Sequence, residues 1–200
     1  MPRPTKQAQT ATATRILDIA EEMVQVRGFN GFSYADVATT IGITTASLHY
    51  HFPGKAELGR ALIERYSDRF FAALSDIEAA NPDAPSRLRG YADLYSSVLR
   101  EHRLCLCGML AAEYTTLPQA MRSAVISFFD RNEAWLASVL EEGREGGELH
   151  LLASSQDTAR MLVGALEGAM LIARPYGDVD RLLSAANQLI ASLHPDAVVA

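Results

Sequence analysis

The sequence predicts an all-α protein of about nine helices, three of them forming an N-terminal unit ahead of a longer helical body. Three observations predict it. Apolar residues recur at helical spacing from Ile16 to Leu193, with no strand-like alternation. Gly or Pro punctuates that pattern at Gly28, Gly42, Pro53-Gly54, Pro82, Pro118, Gly146-Gly147 and Pro175. No long structureless segment and no internal repeat lies between the breaks.

The first helix is expected over about residues 11–27. Ile16, Ile19, Ala20, Met23 and Val24 face inward, and Gly28 closes it. Residues 1–13 are polar and threonine-rich, which excludes a secretory signal and reads as a frayed arm. Ser33 and Asp36 have the spacing of a capping box for a second helix, and Phe32 and Val37 that of a hydrophobic staple. Val37, Ala38 and Ile41 form its narrow apolar face. Gly42 ends it in the left-handed conformation that glycine takes at no steric cost. Thr44 or Thr45 caps a third helix that stops at Pro53, with Leu48 and Phe52 turned inward. Two helices around a short glycine turn make a helix-turn-helix. Thr44, Thr45, Ser47, His49, Tyr50 and His51 suit base edges and phosphates in a major groove. Thr14 and Arg15 lie near the start of the first helix, where a phosphate can be met.

A long helix follows over residues 55–80, with Leu58, Leu62, Ile63, Tyr66, Phe70, Leu74 and Ile77 as its stripe. Residues 81–85 break it. Further helices are expected over about residues 86–101, 107–115, 119–145, 156–173 and 178–193. The domain boundary falls at the Pro53-Gly54 break, giving residues 1–54 and 55–200.

Several stretches in order carry a family resemblance. They are Thr-Arg-Ile-Leu-Asp-Ile-Ala (14–20), Gly28-Phe29, Val37-Ala38, Ile41-Gly42 and the run from Leu48 to Leu58. The chain resembles TetR-family transcriptional regulators over about residues 12–60. The resemblance implies an N-terminal DNA-binding domain, with a C-terminal domain that binds a small effector and dimerises. It implies that Thr45, Ser47, His49, Tyr50 and His51 touch bases and phosphates, and that Lys55 meets the DNA backbone. Ser33 joins this set as the helix cap. The implied partners are a palindromic double-stranded operator, a small-molecule effector and a second copy of the chain. Repression is the family's usual mode.

Composition bounds the alternatives. The chain has 200 residues, is 48% hydrophobic and carries a net charge of −6. No run approaches the ~20 apolar residues of a membrane span, so a cytoplasmic protein is expected. The first 70 residues carry a net +1 and the remainder −7. That mild asymmetry does not argue DNA binding by itself; it reduces non-specific affinity.

The two cysteines, Cys105 and Cys107, are too close for a useful disulfide. They read as buried small hydrophobes, as thiol sensors, or as half of a metal site whose other ligands are not evident. The stretch from Cys105 to Glu113 is similar to a subgroup of TetR-family repressors that sense electrophiles such as N-ethylmaleimide, quinones or hypochlorous acid. That similarity implies a reactive thiol at Cys105. His102 and Arg103 stand near enough in sequence to supply positive charge. His49 and His51, two apart on a helix, cannot share an ion, and no metal or other cofactor is expected. An enzyme would need a cysteine with His102 or His150 as base, without any orienting group, and is not expected.

Candidates for the effector pocket are Tyr91, Tyr95, Cys105, Met109, Glu113, Tyr114, Phe128, Trp135 and Met170. Glu113 and Glu167 each sit in an apolar run and need a partner, for which Arg122 and Arg160 are candidates beside a cationic ligand or water. Gly164, Ala165, Gly168, Ala169 and Ala173 form a stripe of small residues expected at the dimer interface.

Overall fold

A computed structural model describes residues 6–194, with side chains from residue 9 onwards. Among the described residues the fold is all-helical, with nine α-helices and two short 3₁₀ turns. In order these are α1 (Lys6–Arg27), α2 (Tyr34–Ile41), α3 (Thr45–His51), α4 (Lys55–Ala80) and α5 (Ala84–Arg100). There follow α6 (Leu106–Ala112), a 3₁₀ turn (Tyr114–Thr116), α7 (Gln119–Glu145), α8 (Ser155–Ala173), a second 3₁₀ turn (Arg174–Tyr176) and α9 (Asp180–Ser192).

The order matches the expected one, with corrections at the ends. Helix α1 is already formed at Lys6, the first described residue, and not only from near residue 11, because Lys, Gln and Ala are good helix formers. The expected arm is therefore largely helical, and its first five residues lie outside the described ones. Helix α5 begins at Ala84, where Asp83 accepts from the Ser86 N–H at 2.7 Å and Pro85 fits the first turn. The helix expected over 107–115 is α6 followed by a separate 3₁₀ turn.

The described residues form two compact units. One comprises those of Met1–Ser67 together with Leu106–Ile126; the other comprises Asp68–Cys105 and those of Ser127–Ala200. Helices α4 and α7 each contribute to both.

In the first unit Ile16, Ala20, Val24, Val37, Leu48, Leu58, Leu62 and Met121 make the core. Arg65 on α4 reaches Asp18 at 2.7 Å and Glu21 at 2.9 Å on α1. Phe52, expected in this core, is only half-buried, because it caps the end of α3 in an extended conformation. In the second unit α8 packs on α5 and α9, burying Leu88, Leu162, Leu166, Leu182 and Ala186. No helix among the described residues is long and apolar enough to cross a membrane.

Candidate functional site

The candidate reading head is α2, the turn at Gly42 and α3. Ser33 Oγ accepts from the Asp36 N–H at 3.3 Å, and Asp36 Oδ2 accepts from the Ser33 N–H at 2.7 Å, so the capping box is closed. The Ser33 hydroxyl and amide hold the Asp36 carboxyl below the usual carboxylate range. Gly42 takes φ 75°, and its successor's amide returns to Ala38 O at 3.0 Å. Thr44, not Thr45, caps α3 by accepting from the Ser47 N–H at 3.1 Å.

Helix α3 is pinned by Leu48, which is fully buried, while Thr45, His49 and Tyr50 are exposed and Ser47 and His51 half-buried. The two histidines engage different rings: His49 lies 4.8 Å from Tyr34, His51 5.3 Å from Tyr50. His49 Nδ1 donates to Pro53 O at 3.0 Å. A carbonyl only accepts, so the neutral ring carries its hydrogen on Nδ1 and presents Nε2 as an acceptor. Tyr34 donates to Phe52 O at 3.1 Å; burial, then the Glu57 charge, push its phenol up to about 12. Tyr50 stands 68% exposed, its hydroxyl accepting from Gln9 Nε2 at 3.3 Å.

Three residues expected at phosphates have partners inside the protein. Thr14 Oγ1 donates to Thr10 O at 3.0 Å within its own helix. Arg15 Nη2 donates to Ile41 O at 3.1 Å, tying α1 to the last turn of α2. Lys55 Nζ donates to Phe29 O and Phe32 O and sits over both rings, 4.7 Å and 4.3 Å from their centroids.

Glu113 and its neighbours depart from the pocket expectation. Its carboxylate accepts from the Phe29 N–H at 2.6 Å and the Asn30 N–H at 3.3 Å, within the first unit. Met109 and Tyr114 also belong to that unit, and Arg122 stacks on Tyr114 at 5.4 Å. Arg122 donates to Leu117 O and Thr115 O, while Arg160 pairs with Glu133 and Asp157. The partners of Glu113 are thus backbone amides and not the expected arginines, since a carboxylate accepts as well from a turn's N–H groups as from a guanidinium.

The other pocket candidates come together in the second unit. Tyr91 stacks on Trp135 at 5.8 Å and meets Tyr95 at a tilt at 5.2 Å, and Phe70 meets Phe128 at 5.0 Å. Tyr95 Oη lies 3.1 Å from Tyr91 Oη and 3.3 Å from Asn132 Nδ2. Burial pushes the Glu167 carboxyl up to about 7, against the opposing influence of the neighbouring Cys105 and Tyr95 side chains. Burial also raises both phenols. Asn132 Oδ1, Trp135 Nε1 and Glu167 Oε1 are buried without a hydrogen-bond partner among the described residues. Sequence reasoning missed Asn132. Its signal was register: it falls between Phe128 and Leu136 on the inward face of α7, where a polar residue is out of place.

The thiols are buried, Cys105 2% and Cys107 0% exposed, and neither forms a disulfide. Cys105 N–H donates to Met170 Sδ at 3.2 Å. The charge-bearing group beside Cys105 is the Glu167 carboxyl, and Arg103 pairs with Glu101.

On α8, Gly164 and Gly168 are exposed, with open space where a Cβ would stand, and Ala165 and Ala169 are half-buried. Ala173 is fully buried and so leaves the expected surface stripe for the core of its own chain. The exposed face carries Met161, Leu171 and Ile172 instead, at 47%, 57% and 60% exposure.

Two family models cover most of this chain. One described as bacterial regulatory proteins, tetR family, matches residues 16–62, and one described as tetracyclin repressor-like, C-terminal domain, matches residues 84–189. The chain belongs to the TetR family of bacterial regulatory proteins. The fold of this TetR-family regulator is similar to that of a TetR-family transcriptional regulator from Agrobacterium tumefaciens, 30% identical with a TM-score of 0.90 over 93% of this chain and 99% of that one. It is also similar to a TetR transcriptional regulator from Legionella pneumophila, 33% identical with a TM-score of 0.82 over 96% and 100% of the two chains. The HTH-type transcriptional repressor NemR of Escherichia coli is 25% identical over 194 residues, 94% of this chain and 98% of the repressor.

Proposed function

We propose that this TetR-family regulator is a cytoplasmic homodimeric repressor that leaves a palindromic operator when a small-molecule effector binds its C-terminal domain. One observation carries the reading: α3 is capped at Thr44 and pinned by Leu48, yet keeps Thr45, His49 and Tyr50 exposed. A rigid short helix with a polar outer face is what major-groove readout requires. Thr44, Thr45, Ser47, His49, Tyr50 and His51 are the contact set, and Ser33, Thr14 and Arg15 support it from α2 and α1.

The face of α8 with Met161, Gly164, Gly168, Leu171 and Ile172 supports self-association, because exposed apolar area with room for close approach favours a second copy. The aromatic and polar cluster of Tyr91, Tyr95, Asn132, Trp135 and Glu167 supports effector binding, because buried polar atoms without partners favour a ligand that supplies them. The effector must bind the two states unequally for the operator to be released. The thiol-sensing alternative has less support: Cys105 is buried beside a carboxyl, not exposed beside a cation.

The test is fluorescence anisotropy with a duplex selected from a randomised pool by the protein itself, with light scattering to give the oligomeric state. The expected result is a dimer that binds the selected duplex with a steep salt dependence and loses it in Tyr50→Ala. Undiminished binding by Tyr50→Ala would remove α3 from the interface.

A further inference from the structure

The loop that joins α1 to α2 is short and its polar groups are gripped from two sides. Helix α1 ends at Arg27 and α2 begins at Tyr34, so residues 28–33 set how the two helices meet. On the N–H side the Glu113 carboxylate takes the amides of Phe29, at 2.6 Å, and Asn30, at 3.3 Å. On the C=O side the Lys55 ammonium takes the carbonyls of Phe29 and Phe32. Phe29 is therefore held at both of its backbone groups, by an acid and a base 58 positions apart in sequence.

The loop is shaped for this grip. Gly28 has φ +83°, and a Cβ there would fall 2.7 Å from Glu113 Oε1, so the carboxylate occupies space that any side chain would take. A second tie runs beside it, from Asn30 Nδ2 to Thr116 Oγ1 at 2.8 Å. Lys55 is held further by the Phe29 and Phe32 rings. Two of its three N–H groups are committed to carbonyls inside the protein.

We propose that Glu113 and Lys55 form an acid–base clamp on residues 28–32 that sets the angle of the reading head, and that Lys55 acts from inside the protein without touching phosphate. This rests on the DNA-binding reading above and changes the role that the family resemblance implies for Lys55. Both are positioning residues: α3 packs against α2, and Lys55 opens α4 directly after α3, so the grip on the α1–α2 loop fixes how α2 and α3 stand on α1. Burial draws the Lys55 pKa down, and the Glu113 and Asp36 charges oppose this, which fits an ammonium held in place by acids rather than by solvent.

The clamp is tested in the full-length protein with Lys55→Met, Lys55→Arg, Glu113→Gln and the Lys55→Met/Glu113→Gln double variant. Affinity for the duplex selected by the wild-type protein is followed across a salt series. Each single variant is expected to lose roughly tenfold or more in affinity. The slope of log affinity against log salt is expected to stay at the wild-type value. The double variant is expected to lose about as much as a single one, because a half-broken clamp no longer fixes the loop. Lys55→Arg is expected to lose affinity too, since a guanidinium keeps the charge but does not fit between the two rings. A slope lowered by about 0.9 in Lys55→Met would make Lys55 a phosphate contact and overturn the clamp. Wild-type affinity in any single variant, or additive losses in the double variant, would also overturn it. Amide exchange at Phe29 and Asn30 gives a second readout without DNA, expected to speed up in Glu113→Gln and unchanged only if the clamp is wrong. Failure of the wild-type protein to select any duplex would instead sink the DNA-binding reading, and the exchange result would still decide the clamp.

Discussion

The hydroxyl of Tyr95 lies 3.3 Å from the side-chain nitrogen of Asn132, with both residues buried in the second unit. The Asn132 nitrogen can only donate, so the Tyr95 hydroxyl accepts from it. Tyr91 and Tyr95 share a further hydrogen bond across their 3.1 Å contact, which either hydroxyl can donate. The Glu167 carboxyl lies near these phenols, with one oxygen buried and unpartnered among the described residues.

A pH dependence of stability follows. Burial lifts the Glu167 carboxyl from its ordinary 4.5 to about 7, so the folded state favours the neutral acid. The raised value makes this contribution fully present below about 4.5 and progressively lost as pH rises through about 7. The loss amounts to about 3 kcal/mol. Urea unfolding of the wild type and Glu167→Gln, at acid and mildly alkaline pH, checks it. The glutamine variant gains relative to wild type as pH rises; a constant difference between the two would refute the assignment.

Arg65 joins two acids of α1, reaching the Glu21 side chain, which is 8% exposed, while its own is 21% exposed. Arg65→Met is expected to destabilise the protein by about 2 kcal/mol, below the range for a fully buried pair because solvent still screens part of it. A shift in the denaturation midpoint measures this, and a loss too small to resolve would mean that the pair is dispensable.

Gly42 and Gly28 both have positive φ, yet their surroundings differ. Nothing lies within 4 Å of a Cβ at Gly42, so Gly42→Ala meets only backbone strain, about 1 kcal/mol. Gly28→Ala adds the collision with Glu113 and is expected to lower the thermal midpoint further. The opposite order would show that the Glu113 side chain yields easily.

Tyr50 is 68% exposed, so Tyr50→Ala leaves stability within about 0.5 kcal/mol of wild type. Operator affinity is the quantity that falls. Parallel melting and anisotropy curves separate the two effects, and a variant that lost both would point to a structural role.

Both thiols are buried, so a water-soluble disulfide reagent is expected to label them slowly in the native protein and quickly in urea. Fast native labelling accompanied by loss of the operator would restore the thiol-sensing alternative.

The two ends of the chain's organisation were unequally legible. The Ser33 cap, the Gly42 stop, Leu48 in the core and the order of the helices followed from spacing along a few neighbouring residues. These depend on i to i+3 and i to i+4 relations, which any helix imposes on its own sequence. Ala173 was misplaced because a stripe of small residues serves an internal packing contact as well as an external one. Met109, Glu113 and Tyr114 follow closely after Cys105 in sequence, yet they fold with the first unit and Cys105 with the second, which spacing along the chain does not reveal.

The sequence by itself determined the order of the helices, the Ser33 cap and the Gly42 stop, because local spacing and backbone preferences decide them. Tertiary structure alone decided what the charged and polar side chains do. Glu113 finds amides 83 and 84 positions away, Lys55 finds carbonyls 23 and 26 positions away, and Tyr95 finds Asn132 across 37. A hydrogen bond needs its partner within about 3 Å, and no periodicity in a sequence specifies which distant backbone group will arrive there.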